Sequence, residues 1–253
     1  MVSNPIFIDL SKISDSDRLF DLLCYPIYDP KTFNSRLIEL ETLGIKSIEL
    51  SGPTILNNNK ILGKGTRGLV LKANLGNSSI AVKIRRIDSP RINLISEANI
   101  QLFANKFGIG PQIINYSDNC IAMELIEGQL LIDFFYKMDS VNIVLIKKTL
   151  ESLLSQCYLL DLHGIDHGEL SDLKKHVIIN NRVNIIDFDS ASLTRKPSNV
   201  TSCVQYLFIG GPPSGLLQNI FSIDREKLII TLKNYKRTPN YLNFIRIINL
   251  LKL

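Results

Sequence analysis

A glycine-rich segment is the first part of the sequence whose residue types and spacing suit chemistry. Gly63, Gly65 and Gly68 fit the pattern G-x-G-x-x-G-x-V in the sequence GKGTRGLV. A Walker A loop would end in Gly-Lys-Ser/Thr before a helix, and a dinucleotide-binding loop would open a helix. Here Lys64 is followed by another glycine, and the chain continues into the strand-like run LVLK. The pattern therefore favours a hairpin whose backbone N–H groups cover phosphate oxygens, with an ordinary glycine turn as the alternative.

A lysine and a glutamate downstream of these glycines form a second candidate group. Lys83 closes the strand-like sequence IAVK, where its ammonium can reach the α- and β-phosphates of a nucleotide. A solvated lysine at a strand end is the alternative. Glu97 is the only acid between Ser89 and Ser117, and it lies in the middle of a predicted helix. We therefore expect Glu97 to hold Lys83 in place, with an exposed glutamate as the alternative.

The sequence MELIEG closes the strand-rich half of the chain and suits a nucleotide base. Exposed backbone C=O and N–H groups at such a joint between two lobes can hydrogen-bond an adenine edge. Val70, Ala81 and Ile178 are the apolar candidates for contacts with the faces of the ring, and ordinary core positions are the alternative for each.

Two acids flank a predicted pair of short strands in the second half of the chain. Glu169 lies in HGEL before the pair, and Asp187 follows Ile-Ile directly after it. An acid at the end of a buried strand can hold a divalent ion against phosphates, whereas a lone turn aspartate has no such role. Together, Glu169 and Asp187 suggest a base and a metal ligand.

The elements that must position these residues follow from the hydrophobic pattern. Helices are predicted at 16–24, 34–43 (ending at Gly44), 91–106 and 140–163. Strands are predicted at 45–50, 69–73, 79–84, 112–116, 120–126, 177–179 and 183–186, with a turn at 57–59. A mostly β half thus precedes a mostly α half, with the joint near Gly128 and two lobes flanking a cleft.

The composition excludes several classes of protein. Hydrophobic residues make up 45% of the 253 residues and charged residues 21%, which is wrong for a disordered chain. The net charge of +5 suits phosphate-bearing ligands but is too small to indicate a nucleic-acid binder, and nothing indicates DNA specificity. The cysteines are widely spaced without a C-x-x-C pair, so we expect neither disulfides nor zinc but a reducing cytoplasm. They are Cys24, Cys120, Cys157 and Cys203.

Neither a secretory signal nor a membrane span is predicted. The N-terminus lacks a basic segment followed by an apolar run. The stretch 197–223 carries no charge, but Gly210-Gly211-Pro212-Pro213-Ser214-Gly215 would break a spanning helix at its centre. Two short buried segments joined by a turn are expected there, in a soluble, cytoplasmic protein without a membrane partner.

The series GKGTRGLV, IAVK, Glu97, MELIEG, HGEL and IDFDSAS resembles the protein-kinase-like superfamily. It is closest to the atypical, RIO-like branch, and HGELSDLKKHVII with IDFDSAS is similar to archaeal predicted serine/threonine kinases. The resemblance covers about residues 55–205. It implies an α+β, bilobal protein-kinase-like fold. Residues 55–127 would form a β-rich N-lobe with one key helix and residues 128–253 a reduced helical C-lobe. Residues 1–54 would be an extension of helices and a strand packing on the N-lobe.

The resemblance also implies a role for each candidate residue. Lys83, held by Glu97, would bind the phosphates of ATP, Glu169 would accept the proton of a substrate hydroxyl, and Asp187 would bind Mg²⁺ or Mn²⁺. The other residues expected at ATP are Gly63, Lys64, Gly65 and Gly68 over the phosphates, with Val70, Ala81, Glu124, Ile126 and Ile178 around adenine.

Several positions depart from the family's pattern. Glu169 replaces an aspartate and is one methylene longer. The usual asparagine is Lys174, and allowing two extra residues brings His176 to that place. Imidazole is a poor ligand for Mg²⁺ and a better one for Mn²⁺, so His176 is a candidate metal ligand, with a phosphate contact or a hairpin cap as alternatives. Asp189 replaces the DFG glycine, and no APE-type segment follows.

The expected function is that of an ATP-dependent phosphotransferase, an atypical serine/threonine protein kinase with a protein substrate. Autophosphorylation is open to the hydroxyls of Ser190, Ser192, Thr194, Ser198, Thr201 and Ser202. One alternative is a nucleotide-binding pseudokinase scaffold. The other is a RIO-like ATPase on an RNA-containing particle, through a basic surface that could equally be a solvated helix face. That surface would comprise Lys174, Lys175, Arg195, Lys196, Lys233, Lys236 and Arg237.

Overall fold

The structure is a computed structural model of an α+β protein. It describes residues 6–12, 17–137 and 142–253. The chain divides into two units, one of residues 1–102 and 111–126 and the other of residues 103–110 and 127–253. The first unit is built around an antiparallel sheet, and the second is largely helical.

The sheet of the first unit has the strand order β1-β2-β6-β7-β9-β8, with β5 also paired to β6. The strands of this unit are β1 Ile6–Asp9, β2 Ser47–Leu50, β3 Thr54–Leu56, β4 Asn59–Ile61, β5 Gly63–Lys64, β6 Gly68–Leu75, β7 Ser78–Arg85, β8 Ile113–Tyr116 and β9 Cys120–Glu124. Strands β3 and β4 form a separate hairpin. Its turn residues Asn57 and Asn58 have positive φ angles of 46° and 62°, which asparagine tolerates better than most residues. The predicted turn at 57–59 therefore coincides with this hairpin.

Two helices precede most of this sheet, α1 Asp17–Leu23 and α2 Pro30–Thr42. Helix α2 begins four residues before its predicted start because Asp29 caps it: the Asp29 carboxylate accepts from the Thr32 amide at 2.7 Å, and proline is favoured in the first turn. Gly44 follows the helix with φ 81°, which confirms the predicted glycine stop. The Arg36 guanidinium is buried and donates to the Arg85 carbonyl of β7.

Helix α3 (Ile95–Asn105) is shorter at its start than the predicted helix 91–106. The amide of Leu94 donates to the Asp118 carbonyl at 2.8 Å, outside any helix, and the Arg91 carbonyl accepts from Arg85 at 3.1 Å. Because these contacts hold residues 91–94 in a loop, Glu97 lies in the first turn of α3 rather than at its middle. A negative charge in the first turn is favourable toward the helix dipole.

The second unit contains helices around a small sheet with the strand order β10-β11-β12. Its elements after α3 are β10 Gln129–Leu130, α4 Leu131–Lys137, α5 Ile143–Leu162, β11 Val177–Ile179, β12 Val183–Ile185, α6 Asn199–Gln205, a π-helical turn Tyr206–Gly210, α7 Ser214–Phe221, α8 Arg225–Arg237 and α9 Tyr241–Leu250. Helix α5 packs against α6 and β12, and α8 packs against α9. The predicted strand pair at 177–179 and 183–186 is confirmed, with its second strand one residue shorter.

The sequence pattern did not predict the short strands β1, β3, β4, β5 and β10, which have two to four residues each. The predicted start of the helix 140–163 lies partly outside the described residues. In the uncharged stretch, α6 and the π-helical turn are separated from α7 by Gly211-Pro212-Pro213, which agrees with two segments joined by a turn. No helix within the described part of the chain is long and apolar enough to cross a membrane.

A buried aspartate connects several elements of the second unit. Asp161, on the apolar face of α5, accepts hydrogen bonds from the Asn199 amide and side chain at 2.8 Å each. Its second oxygen accepts from the Val200 amide at 3.2 Å and from the Tyr235 hydroxyl at 2.9 Å. Burial raises the pKa of the Asp161 carboxyl, and the hydrogen bonds oppose that rise.

We expect Asp161→Ala to destabilise the protein more than any change at a single donor. Loss of the carboxylate leaves several buried donors unsatisfied, which costs about 3 kcal/mol or more in the free energy of unfolding. Tyr235→Phe removes one donor and should cost about 1 kcal/mol. Chemical denaturation followed by circular dichroism measures both, and equal losses for the two variants would contradict the central role of Asp161.

Candidate functional site

The glycine loop, defined as residues 63–68, joins two antiparallel strands. Gly63 pairs with Val70 and Lys64 with Leu69 across β5 and β6. The Gly65 amide donates to the Gly68 carbonyl at 2.8 Å and closes the turn. The loop therefore leads into a strand and not into a helix, which agrees with the hairpin interpretation of the sequence.

A tyrosine far away in the sequence holds this loop. The Lys64 ammonium donates to the Tyr25 hydroxyl at 2.6 Å and lies 4.6 Å from the centre of the Tyr25 ring. The Arg86 guanidinium is 5.0 Å from the same ring centre and donates to the Gly65 carbonyl at 3.0 Å. The aromatic ring thus contacts two cations that would otherwise repel each other. Lys64, expected at the phosphates, is engaged with Tyr25 in this structure.

The predicted pair of Lys83 and Glu97 is present in the first unit. The Lys83 ammonium lies 2.6 Å from a Glu97 carboxylate oxygen, and the two residues are only 5% and 3% exposed. Strand β7 supplies the lysine between β6 and β9, and the first turn of α3 supplies the glutamate. A Cβ atom on Gly68 would lie 3.1 Å from Lys83 Cε, so this glycine leaves room for the lysine stem.

The residues expected around adenine are distributed over both units. Val70 and Ala81 lie on β6 and β7, Glu124 ends β9, Ile126 follows it, and Ile178 lies on β11 of the second unit. The Glu124 amide donates to the Gln112 carbonyl at 2.8 Å.

In the second unit, the segment HGEL is held in a tight conformation. Gly168 has φ 87°, and a Cβ atom there would lie 2.7 Å from the Ser190 carbonyl and 2.6 Å from the Arg195 guanidinium. Only glycine fits that space without a rearrangement. The Arg195 Nε donates to Asp166 at 2.7 Å, which ties the segment to the chain after Asp187.

Glu169, His176 and Asp187 form one cluster, with ligand atoms that all lie within 4.8 Å of one another. Glu169 Oε2 is 3.2 Å from His176 Nε2, and Glu169 Oε1 accepts from the Ser190 hydroxyl at 2.6 Å. Asp187 is partly exposed and has φ 67°, a left-handed conformation that costs a non-glycine residue energy. A strained aspartate beside a carboxylate and an imidazole is typical of functional sites.

His167 is not a member of the cluster but contacts the backbone next to it. The His167 ring is fully buried, and its Nε2 lies 3.1 Å from the carbonyl of Ile186, the residue before Asp187. Burial lowers the pKa of His167 to about 4, so the ring is neutral near pH 7. The His167 amide donates to the Asn199 side chain at 2.9 Å, which links the segment to the Asp161 network.

The cluster fits a divalent cation by its donor chemistry. The two carboxylates of the cluster carry negative charge that a divalent ion balances, and the imidazole offers a nitrogen ligand. Ligand atoms of one ion lie at most roughly 4.4 Å apart, so a small closure of the cluster suffices. The nitrogen ligand disfavours Mg²⁺ and is accepted by Mn²⁺.

The sequence pattern does not indicate the roles of Tyr25 and Asp161, and it does not distinguish Ser190 from the other hydroxyls after Asp187. Tyr25 carries no local signal, because its partners lie 39 and 61 residues further along the chain. Asp161 could have been noticed as an acid on the apolar stripe of α5, four residues after Cys157. Lys174 is exposed.

Comparisons with known proteins add a relative without a described activity. No family model matches the chain. An uncharacterized protein of Methanocaldococcus jannaschii, MJ1211, is 33% identical over 118 residues, which span 46% of this chain and 99% of that protein. The fold and the two clusters define an α+β protein with a buried lysine–glutamate pair and a carboxylate–imidazole group. The chain belongs to the same family as MJ1211.

We expect Glu97→Ala to lower the free energy of unfolding by about 3 kcal/mol, because it removes the counterion of a buried lysine. Replacing both partners, as Lys83→Met with Glu97→Leu, should cost much less. Asp88→Ala, which breaks the exposed ion pair with Arg86, is the control and should cost less than about 1 kcal/mol. Urea denaturation measures all three. A double variant as unstable as Glu97→Ala would show that the buried charge is not the cause.

Proposed function

We propose that the protein is an ATP-dependent phosphotransferase of the atypical, RIO-like kinase type, with a bilobal kinase-like fold. The buried ion pair of Lys83 and Glu97 next to the glycine loop carries this proposal. Burying the charge of a lysine costs free energy unless a counterion is present, and such buried ionisable residues are frequent at functional sites. Here the lysine lies beside a hairpin whose glycines suit the binding of phosphates.

Lys83 and the glycine loop would bind the triphosphate of ATP. The Lys83 ammonium has a fixed position because Glu97 lies 2.6 Å away on a helix. Tyr25 and Arg86 would restrain the loop through Lys64 and the Gly65 carbonyl. Positioning and positive charge are the main contributions that a protein makes to phosphoryl transfer.

Asp187 and His176 would hold Mg²⁺ or, preferably, Mn²⁺. The cation would neutralise the charge of the phosphate group that is transferred. The Ile186 carbonyl next to His167 fixes the backbone before Asp187, so the aspartate is held in its strained conformation by buried groups.

Glu169 would accept the proton of the acceptor hydroxyl. Its side chain is 34% exposed, so an acceptor can approach it. One of its oxygens already accepts from a hydroxyl at 2.6 Å, which is the distance that a general base requires. The extra methylene relative to aspartate is accommodated by contacts of Glu169 with Ser190 and His176.

A nucleotide-binding scaffold without catalysis is the second candidate. Both carboxylate oxygens of Glu169 have partners within the chain, which favours a structural role for this residue. Measured transfer separates the two candidates, because a scaffold binds ATP and releases no ADP.

We expect Asp187→Asn to abolish ADP formation from ATP while ATP binding persists. The fold should be retained, because asparagine tolerates the left-handed backbone of Asp187. ADP formation should be lost, because the asparagine amide is a weaker cation ligand than a carboxylate. Isothermal titration with ATP and a coupled ADP assay measure the two properties.

Lys83→Met combined with Glu97→Leu is the matched variant for the residues proposed to bind the triphosphate. It should lose ATP binding with a near-normal fold. Unchanged ADP formation in Asp187→Asn, or unchanged ATP binding in the double variant, would refute the proposed function.

Replacement of His176 by asparagine should change the metal preference. The amide oxygen of His176→Asn suits Mg²⁺ better than a ring nitrogen does, so the affinity ratio of Mg²⁺ to Mn²⁺ should rise about tenfold. Electron paramagnetic resonance of Mn²⁺, with Mg²⁺ in competition, measures binding without any turnover. His163→Asn, outside the cluster, is the control and should leave the ratio unchanged; the same ratio in wild type and His176→Asn would exclude His176 as a ligand.

A further inference from the structure

We infer that the hydroxyl of Ser190 is the acceptor of an intramolecular phosphoryl transfer. This inference rests on the proposed function and names the substrate of the same site. It follows from a contact between Ser190 and the residue proposed as the base.

Ser190 lies three residues after Asp187 and donates its hydroxyl proton to Glu169 Oε1 at 2.6 Å. His176 contacts the other Glu169 oxygen at 3.2 Å and so orients the carboxylate. A hydroxyl bonded to a base, with the base oriented by a third group, is the arrangement expected of an activated nucleophile. All these residues belong to the second unit, so the contact does not depend on another part of the chain.

The other hydroxyls that follow Asp187 are engaged elsewhere. The Ser192 hydroxyl lies 3.1 Å from that of Thr194 and accepts from the Arg195 amide at 3.2 Å. The Thr201 hydroxyl donates to the Ser198 carbonyl at 2.9 Å. These hydroxyls bond to one another and to nearby backbone, whereas the Ser190 hydroxyl donates to the proposed base.

The step balances without a further reactant. The Ser190 oxygen forms a bond to the γ-phosphorus of ATP, the bond from that phosphorus to the bridging oxygen breaks, and ADP leaves with the electron pair. The hydroxyl proton passes to Glu169. Phosphoserine, ADP and a protonated carboxyl are the products.

The surroundings of Ser190 indicate what the product does. The Arg195 guanidinium donates to the Ser190 carbonyl, so a cation adjoins the residue that gains two negative charges. Glu169, in contrast, would repel the new phosphate once its carboxyl has released the proton to solvent. Phosphorylation should therefore break the contact between Ser190 and Glu169 and leave the carboxylate open to another hydroxyl.

The test is incubation of the full chain with γ-labelled ATP and either Mn²⁺ or Mg²⁺, with ADP release measured in parallel and the labelled residue mapped by mass spectrometry. We expect label on Ser190, at a rate per molecule that does not change with protein concentration. Glu169→Gln should slow the labelling about 100-fold.

Ser190→Ala and Ser192→Ala are the matched variants. Ser190→Ala should lose the self-labelling but still bind ATP, because only the acceptor hydroxyl is removed. Ser192→Ala should be labelled like the wild type. Circular dichroism confirms the fold of each variant.

The outcomes separate this inference from the proposed function. Label on another residue, full labelling of Ser190→Ala, or ADP release without labelled protein would overturn the role of Ser190 while the phosphotransferase site stands. Absence of ADP release under either metal would refute the proposed function and the inference with it.

Discussion

The second unit depends on the hydrogen bonds that the buried carboxylate of Asp161 accepts. A buried charge is tolerated only where donors surround it, and here the start of α6 and a tyrosine of α8 provide them. Asn199 connects Asp161 to the segment before Glu169, since its side chain also accepts from the His167 amide and donates to the Ile165 carbonyl. The segment that carries Glu169 is therefore positioned by a network whose members take no part in the proposed chemistry.

The first unit also contains a buried charge, which is balanced by an ion pair instead of by neutral donors. Lys83 is buried inside a sheet, and its charge is balanced by Glu97 from a helix. Glycine at position 68 leaves space for the lysine stem, and the contacts of residues 91–94 set where the helix begins. In the described part of both units, a buried charge thus costs energy unless its hydrogen-bond or ion-pair partners are in place.

The residues with proposed roles occupy energetically costly positions. Asp187 has a left-handed backbone, and its carboxylate lies close to that of Glu169. Such strain persists only where the surrounding structure imposes it, and here the buried, neutral His167 fixes the preceding carbonyl. A cation, or a proton on Glu169 after transfer, would reduce the repulsion between the carboxylates.

The sequence by itself determined the local elements: the glycine hairpin, the strand that carries Lys83, the helix with Glu97, and the strand pair before Asp187. These elements can be predicted from hydrophobic periodicity, from turn residues and from Glu97 as the only acid between Ser89 and Ser117. Such elements depend mainly on residues that are close together in the sequence. The tertiary structure alone decided which distant groups meet. Tyr25 contacts Lys64 across 39 residues, Ser190 contacts Glu169 across 21, and Tyr235 contacts Asp161 across 74. These contacts result from packing, which brings together residues that no local pattern connects.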